Sequence, residues 1–318
     1  MASTAPRRPA CRPRSAYGGG VLRDRLILGP LMVLAVLFGC WLDEWVDDQR
    51  APRLIAQFTR DRLTWPPASV VMPLCAVLAA LAGREVARLL RAKGIQASPV
   101  LTMGVALIGA ILSGMTPDDG SAFLGGMTVG AAVTLVLVAS MAFYARGRDP
   151  IGVAAATAGA LLAFTYAGLL LGAIPAIRRE VSCWVVAWVL MVTKLADVGA
   201  FFAGRSFGRH KMAPWLSPGK TWEGLIGAVA MSIVVAVLGA WALREWGIQG
   251  APGFWRALVC GVLFALVGHA GDLMASMLKR DAGAKDAGAS VPGFGGVIDV
   301  LDSILLVGPV AFWALHDV

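Results

Sequence analysis

The sequence contains few charged residues, and this shortage bounds the class of protein. Asp, Glu, Lys and Arg make up 15% of the 318 residues, whereas hydrophobic residues make up 58% and the mean hydropathy is +0.71. A typical soluble domain carries about 25% charged residues. The chain therefore has more apolar residues than a soluble core can bury, which indicates an integral membrane protein.

Paired cysteines are also absent. Five cysteines are spread along the chain without any CxxC pair: Cys11, Cys40, Cys75, Cys183 and Cys260. Their spacing suggests neither a disulfide framework nor a zinc site, so we expect them to act as small apolar residues within helices.

Long apolar runs are abundant, and they are continuous rather than alternating. Continuous runs argue against the short alternating strands of a membrane barrel. A membrane-spanning helix needs roughly 20 apolar residues. We predict an all-α, polytopic fold of about nine transmembrane helices, near residues 26–42, 68–83, 99–115, 121–144, 151–174, 181–203, 222–243, 254–275 and 297–315.

Basic residues predict the orientation, because Lys and Arg remain preferentially on the cytoplasmic side of a membrane. With nine spans and the N-terminus inside, most Lys and Arg residues lie in cytoplasmic segments. We therefore predict a multi-pass protein of the inner (cytoplasmic) membrane, with its active site at the cytoplasmic side of the C-terminal helices. The net charge of +8 fits contact with anionic lipid headgroups, so nucleic acid is not an expected partner.

Three regions follow from composition. Residues 1–25 are rich in Arg, Pro and Gly and are expected to be a disordered basic tail. Residues 26–180 hold the N-terminal transmembrane helices, and residues 181–318 hold the catalytic transmembrane region. This last assignment rests on ionisable residues, which enter the predicted spans from Lys194 onward and mark function within a membrane.

The sixth predicted span carries the first polar cluster. Lys194 and Asp197 stand three residues apart and share a helix face. We expect the glycine-rich segment 204–209, with Arg205 and Arg209, to form a basic, flexible loop suited to phosphate. The alternatives are an ion pair that only joins helices and a loop that only obeys the positive-inside rule.

A second cluster is WLSPGKTWEG. Its GKT is not a P-loop, because Pro214 stands where the first glycine of that motif belongs. We predict instead that Ser217 caps a helix and that Pro218 is its first residue, with Lys220 and Thr221 in the first turn. The helix N-terminus and Lys220 would then face an anion at the cytoplasmic surface.

The third cluster joins the last two spans. His269, Asp272, Ser276 and Lys279 recur at helical spacing on the eighth span. We expect His269 to be a packed, hydrogen-bonded residue. A carboxylate such as Asp272 at membrane depth needs a metal or a basic partner.

Further carboxylates follow this stripe in sequence. Asp299 and Asp302 share a face at the start of the ninth span, and Asp286 lies in the connecting loop. Such hard oxygen ligands suit Mg²⁺. The glycines of the loop, including Gly295 and Gly296, would let its backbone approach a ligand closely.

These residues carry a resemblance to a known family. From Ser276 to Ser303 the pattern SMLKRxxxxKD…PGFGGxxDxxDS resembles the signature of the phosphatidate cytidylyltransferases, also called CDP-diacylglycerol synthases. The upstream segment DVGAFFAGRSFGRHKMAPWLSPGKTWEG resembles a further conserved region of that family. Phe294 and Val300 depart from the pattern, because the family usually has His and Arg there.

The resemblance implies that CTP and phosphatidate react to give CDP-diacylglycerol and pyrophosphate, with Mg²⁺ as cofactor. The implied metal-binding residues are Asp272 and Asp299, supported by Asp286 and Asp302. The implied catalytic residues are Lys220, Ser276, Lys279, Arg280, Lys285 and Asp286, of which the basic ones would hold the triphosphate. The implied substrate-binding residues are Asp197, Arg205, Arg209, Ser217, Thr221, Gly295 and Gly296. Expected partners are CTP, phosphatidate, membrane lipids and a second copy in a homodimer.

Two other functions stay open at this point. A CTP-dependent lipid kinase of the polyprenol type would use a similar acidic site but would transfer the terminal phosphate. A secondary transporter would use the intramembrane charges as an ion path, yet it predicts inverted repeats and broken helices at the membrane midplane.

Overall fold

The computed structural model describes residues 18–50, 64–115, 122–147, 150–291 and 293–316. Within these ranges the chain forms nine helices and one short β-hairpin. The helices are α1 Gly18–Asp47, α2 Val71–Ala92, α3 Pro99–Gly114, α4 Ala122–Ala145, α5 Val153–Glu180, α6 Cys183–Phe207, α7 Trp222–Glu245, α8 Phe254–Asp281 and α9 Val297–Leu315. Residues Ala163–Leu169 of α5 are π-helical. The strands are β1 Lys211–Ala213 and β2 Ser217–Thr221.

Seven helices of the described ranges are long and apolar enough to cross a membrane, namely α1, α4, α5, α6, α7, α8 and α9. The other two differ for simple reasons. Helix α3 has only 16 residues, and α2 carries four charged residues between Arg84 and Arg91. The predicted all-α membrane fold is therefore confirmed, whereas a count of nine spans stays a prediction.

Contacts between helix ends define two faces of the molecule. On one face Lys93, just after α2, pairs with Asp281 at the end of α8 at 2.9 Å. On the other face Arg178, near the end of α5, pairs with Asp43, near the end of α1, at 2.5 Å. We call the first the hairpin face, because the β-hairpin and the 282–296 loop lie there, and the second the Asp43 face.

Small residues fix α6 against α7. A Cβ added at Gly227 would lie 2.2 Å from the Cβ of Ala203, and one added at Gly199 would lie 2.5 Å from the Cβ of Met231. In lipid, burial of apolar surface does little to drive helices together. Helix association therefore depends more on close van der Waals packing of the backbones, which small residues allow. The pair α6–α7 thereby forms a rigid support for the hairpin between them.

The predicted start of α7 at Ser217 is wrong. Residues Ser217–Thr221 are extended and pair antiparallel with Lys211–Ala213. Thr221 is the N-cap instead, and its Oγ1 accepts a hydrogen bond from Gly224 N at 3.0 Å. Ser and Thr are both good caps. Thr221 caps the helix instead of Ser217, because pairing with β1 requires an extended backbone up to Thr221.

The predicted flexible loop at residues 204–209 is also wrong for most of its length. Helix α6 continues to Phe207, so Arg205 is helical and only Arg209 lies beyond the helix end. A Cβ at Gly208 would lie 2.2 Å from Gly204 O and 2.9 Å from the Oγ1 of Thr221. These glycines allow the end of α6 to pack against the start of α7, rather than providing flexibility.

At the N-terminus, α1 begins at Gly18, inside the segment predicted to be disordered. Residues 1–17, which include Cys11, lie outside the described residues. The other four cysteines are free and buried, as expected for small apolar residues.

Candidate active site

Lysines from three elements each meet a carboxylate in a site that runs inward from the hairpin face. The pairs are Lys220 with Asp272 at 2.8 Å, Lys279 with Asp299 at 2.8 Å, and Lys194 with Asp302 at 3.5 Å. They link β2 to α8, α8 to α9 and α6 to α9. Charges buried in an apolar bundle are stable only when they are paired and hydrogen-bonded, so these pairs define the polar centre of the molecule.

Lys220 reaches this centre from β2 and not from a helix. Its side chain is only 11% exposed, and its Nζ also donates to His269 O at 3.2 Å. Thr221, the next residue, is locked as the N-cap of α7. The hairpin therefore places the Lys220 ammonium group near the start of α7, as the sequence predicted. The backbone at Lys220 is, however, a strand and not the first turn of the helix.

Asp299 ties together the two ends of the loop before α9. Its Oδ1 accepts from Lys279 Nζ at 2.8 Å. Its Oδ2 accepts from Ala287 N at 2.8 Å and from Gly296 N at 2.7 Å. Both carboxylate oxygens of Asp299 are therefore engaged by donors of the protein itself.

The third pair lies deeper in the bundle. Lys194 Nζ donates to Ser303 Oγ at 2.8 Å and lies 3.8 Å from Asp197 Oδ2, which confirms that Lys194 and Asp197 share a helix face. Ser303 Oγ in turn donates to Asp197 at 3.3 Å. A Cβ at Gly271 would lie 2.5 Å from Asp302 O, so α8 and α9 touch beside Asp272.

These carboxylates fit Mg²⁺ only in a limited role. The described residues contain no group of three or more His, Cys, Asp or Glu side chains that could hold a metal ion by themselves. In nucleotide-dependent enzymes, however, Mg²⁺ usually takes one or two carboxylates and completes its shell with phosphate oxygens and water. Asp272 and Asp302 suit that arrangement, because they lie on neighbouring helices where α8 and α9 are in contact.

The remaining predicted residues lie around the three pairs. Arg280 donates to Leu216 O at 3.4 Å and so joins α8 to the hairpin. Lys285 and Asp286 are exposed in the loop, and Ser276 is half-buried on α8. Arg205 and Arg209 are exposed, and within the described residues no hydrogen bond connects them to the lysine–carboxylate pairs.

Four predicted residues have local structural roles. Ser217 is half-buried in β2, and Thr221 is buried as the α7 cap. Gly295 has a φ of 100°, which favours glycine. A Cβ at Gly296 would point at the carboxylate of Glu85, 2.4 Å from Oε2. Ligand binding by these residues stays a prediction.

Sequence reasoning missed Glu85. This residue of α2 is 4% exposed and accepts hydrogen bonds from the loop and from the start of α9. It stands among Arg84, Arg88 and Arg91, and the sequence analysis used basic residues of such segments only to predict orientation. Its one distinguishing signal was that it is the sole acidic residue of α2.

Sequence reasoning also missed Tyr166. It lies in the π-helical stretch of α5, is 2% exposed, and its hydroxyl has no hydrogen-bond partner among the described residues. The Nε2 of His269 is likewise buried without a partner, so the expected packing of this residue is confirmed but a hydrogen bond to its ring is not seen. Orphaned donors and acceptors such as these are uncommon in folded proteins.

The chain is similar to known proteins over most of its length. Residues 59–317 match the model of the cytidylyltransferase family. A phosphatidate cytidylyltransferase of Synechocystis is 32% identical over 260 residues, which cover 72% of this chain and 83% of the relative. One of Helicobacter pylori is 36% identical over 55% of this chain and 60% of the relative, and one of Haemophilus influenzae is 37% identical over 40% and 43%. The chain thus spans less than two thirds of the latter two relatives. From the family match and the Synechocystis relative together, the chain belongs to the cytidylyltransferase family.

Proposed function

We propose that this protein transfers the cytidylyl group of CTP to phosphatidate, giving CDP-diacylglycerol and pyrophosphate. The observation that carries the proposal is the set of three partly buried lysine–carboxylate pairs between the C-terminal helices and the hairpin. The relatives are phosphatidate cytidylyltransferases, which supports the same reaction. Lysines held beside carboxylates can exchange these partners for phosphate oxygens when a triphosphate arrives.

In this reaction a phosphate oxygen of phosphatidate attacks the α-phosphorus of CTP. The bond from that phosphorus to the oxygen bridging to the β-phosphate breaks, and pyrophosphate leaves with the electron pair. A phosphate monoester has a second pKa of about 6, so the nucleophile is already largely ionised at neutral pH. No side chain needs to remove a proton, and catalysis rests on positioning and charge.

The basic residues divide this work by position. Lys220 and Lys279 line the polar centre and would bind the triphosphate directly. Lys285 and Arg280, on the exposed loop and at the end of α8, would neutralise the departing pyrophosphate. Arg205 and Arg209 lie at and beyond the end of α6, where the phosphate of a lipid headgroup would sit, so they are assigned to phosphatidate.

Asp272 and Asp302 would hold Mg²⁺ together with oxygens of the triphosphate, with Asp286 able to contribute from the loop. When bound, the ion adds positive charge that stabilises the charge developing on the phosphates. Asp299 is the less suitable of the predicted ligands, because Lys279 and two backbone N–H groups already occupy its oxygens.

The hairpin face is assigned to the cytoplasm. Basic residues gather there at the ends of α6 and α8 and in the hairpin, as the positive-inside rule requires of a cytoplasmic surface. CTP would enter from that side. The N-terminus is then inside, and the protein belongs to the inner membrane.

Labelled CTP tests the reaction type. Purified protein in detergent is incubated with phosphatidate, Mg²⁺ and CTP that carries radiolabel at either the α or the γ phosphate. Cytidylyl transfer puts the α label into lipid and the γ label into pyrophosphate. A lipid kinase would put the γ label into lipid, and a transporter would yield no labelled lipid from either nucleotide; both results would contradict the proposal.

A further inference from the structure

A buried carboxylate from the N-terminal half of the chain lies beneath the loop between α8 and α9. Glu85 is on α2, 205 residues before Ser290 of that loop, and is 4% exposed. A buried carboxylate is unfavourable unless hydrogen bonds satisfy its charge. The partners of Glu85 therefore show what it does.

Three donors satisfy Glu85. Its Oε1 accepts from Ser290 Oγ at 2.8 Å and from Val297 N at 2.9 Å, and its Oε2 accepts from Ile298 N at 2.9 Å. The first N–H groups of a helix have no partner within the helix, and negative charge is favourable at that end. Glu85 thus caps α9 from a distant helix.

Two glycines of the loop make room for this carboxylate. A Cβ added at Gly288 would lie 2.3 Å from Glu85 Oε1, and one added at Gly296 would lie 2.4 Å from Oε2. A Cβ essentially never approaches a non-bonded atom this closely, so either side chain would displace Glu85 or the loop. The loop and α2 are therefore matched to each other in shape.

Glu85 is also connected to the charges of the site. Gly296 N donates to Asp299, the next two residues donate to Glu85, and the other oxygen of Asp299 holds Lys279. The carboxylates of Asp299 and Glu85 thereby both accept hydrogen bonds from the first turn of α9. Without Glu85 the start of α9 loses one of these anchors, and the position of the Lys279–Asp299 pair is no longer fixed.

We propose that Glu85 is a positioning residue for the nucleotide site. It holds Ser290 and the first residues of α9, Val297 and Ile298. The loop and α9 are thereby fixed so that Lys279, the partner of Asp299, and Lys285 meet the triphosphate of CTP, an inference that rests on the proposed function. The lipid phosphate is assigned to Arg205 and Arg209, and within the described residues no hydrogen bond joins either of them to Glu85. Loss of Glu85 therefore affects CTP and Mg²⁺ and leaves phosphatidate binding unchanged.

Glu85→Gln tests this with little change of shape, because it replaces one accepting oxygen with an amide that donates. We expect the KM for CTP and the half-saturating Mg²⁺ concentration to rise roughly tenfold or more, the usual scale for a hydrogen bond to a charged group. The KM for phosphatidate should change less than about twofold. Hydrogen exchange of residues 287–298, with and without CTP and Mg²⁺, gives a readout that does not depend on turnover.

The matched control is Asp43→Asn on the Asp43 face. Asp43 is also a fully buried carboxylate that accepts from the first N–H groups of a helix, Val70 N at 2.7 Å and Val71 N at 3.0 Å. This variant should lose thermal stability without a change in the KM for CTP. If both variants alter that KM equally, Glu85 only stabilises the fold and the inference is overturned.

Gly288→Ala provides a second test through coupling. When the substitution is made in the wild-type protein, the new Cβ meets the Glu85 carboxylate, so the KM for CTP should rise. When it is made in a Glu85→Ala variant, that obstruction is gone, and the same substitution should have a smaller effect on the KM. Independent, additive effects would overturn the inference. A wild type that binds CTP but forms no product would contradict the proposed function alone, whereas a Glu85→Gln variant with normal KM values and normal exchange would contradict the role of Glu85 alone.

Discussion

Asp272 and Asp299 are both aspartates of the candidate site, but their carboxylates have different neighbours. Asp272 pairs with Lys220, whereas Asp299 pairs with Lys279 and also holds two backbone N–H groups. We expect Asp272→Asn to lower turnover about 100-fold or more, the scale for losing one electrostatic contact in a transition state, with little change in the unfolding temperature. Asp299→Asn should lower both turnover and thermal stability.

Activity assays at several Mg²⁺ concentrations and thermal unfolding in detergent measure these effects. Asp281→Ala is the control, because Asp281 is 70% exposed in its pair with Lys93 and exposed pairs contribute little. Full activity of both Asn variants at limiting Mg²⁺ would remove Asp272 and Asp299 from the site.

Phe294 and Val300, which stand where the family usually has His and Arg, define a second prediction. Phe294 is half-buried, and the end of its ring lies 3.9 Å from the position of a Cβ added at Gly29 of α1. Because the attacking phosphate is already ionised above a pKa of about 6, we expect Phe294→His to change the rate only modestly between pH 7 and 9. A pH–rate profile of both proteins measures this. An inert wild type that becomes active with Phe294→His and Val300→Arg together would show that a necessary group is missing.

At the scale of elements, the packing of α6 on α7 is the contact most sensitive to side-chain size. Gly227→Leu would place a large side chain where even a Cβ lies 2.2 Å from Ala203. We expect a loss of stability of several kcal/mol, since overpacking alone typically costs about 1–3 kcal/mol and this contact leaves no room for adjustment. Gly126→Leu on α4 is the control, because nothing lies within 4 Å of an added Cβ there. Equal unfolding temperatures for the two variants would contradict this packing.

Apolar runs were sufficient to predict where helices occur, because nine helices of the described residues coincide with the nine predicted runs. Their ends were less predictable. Helix α8 continues to Asp281 and α5 to Glu180, since a helix can extend past the apolar layer, where hydropathy no longer marks it. The β-hairpin was missed because Ser217 and Thr221 are both suitable caps, and only the pairing of β1 with β2 decides between them.

The candidate site was predictable to the extent that its residues belong to local patterns. The stripe on α8 and the spacing of Asp299 and Asp302 can be seen in a few turns of sequence. Glu85 could not be found this way, because its hydrogen bonds are to residues 205 or more positions away. Tyr166 could not be found either, because the burial of its hydroxyl without a partner is a property of the folded bundle. The predicted homodimer stays a prediction.

At the scale of the whole molecule, the two faces should be separable by labelling. We expect a cysteine at Lys285 on the hairpin face to react with a membrane-impermeant maleimide only after the cells are opened, because positive charge keeps that face in the cytoplasm. A cysteine at Gly247, after α7 on the opposite face, should react in intact cells. Both variants would carry Cys11→Ser, and the native thiols of the described residues are buried, so that native cysteines contribute no background. Reversed reactivity would overturn the predicted orientation.

The capping of α9 by a carboxylate on α2 bears on how such a chain can be divided or recombined. Residues 181–318 hold every charged pair of the polar centre, yet they do not hold the anchor of their own ninth helix. We therefore expect this region not to act as an autonomous module. A chimaera that joins it to foreign N-terminal helices would need an acidic residue at the place of Glu85, and co-expressed halves of the chain would regain activity only by docking α2 against α9.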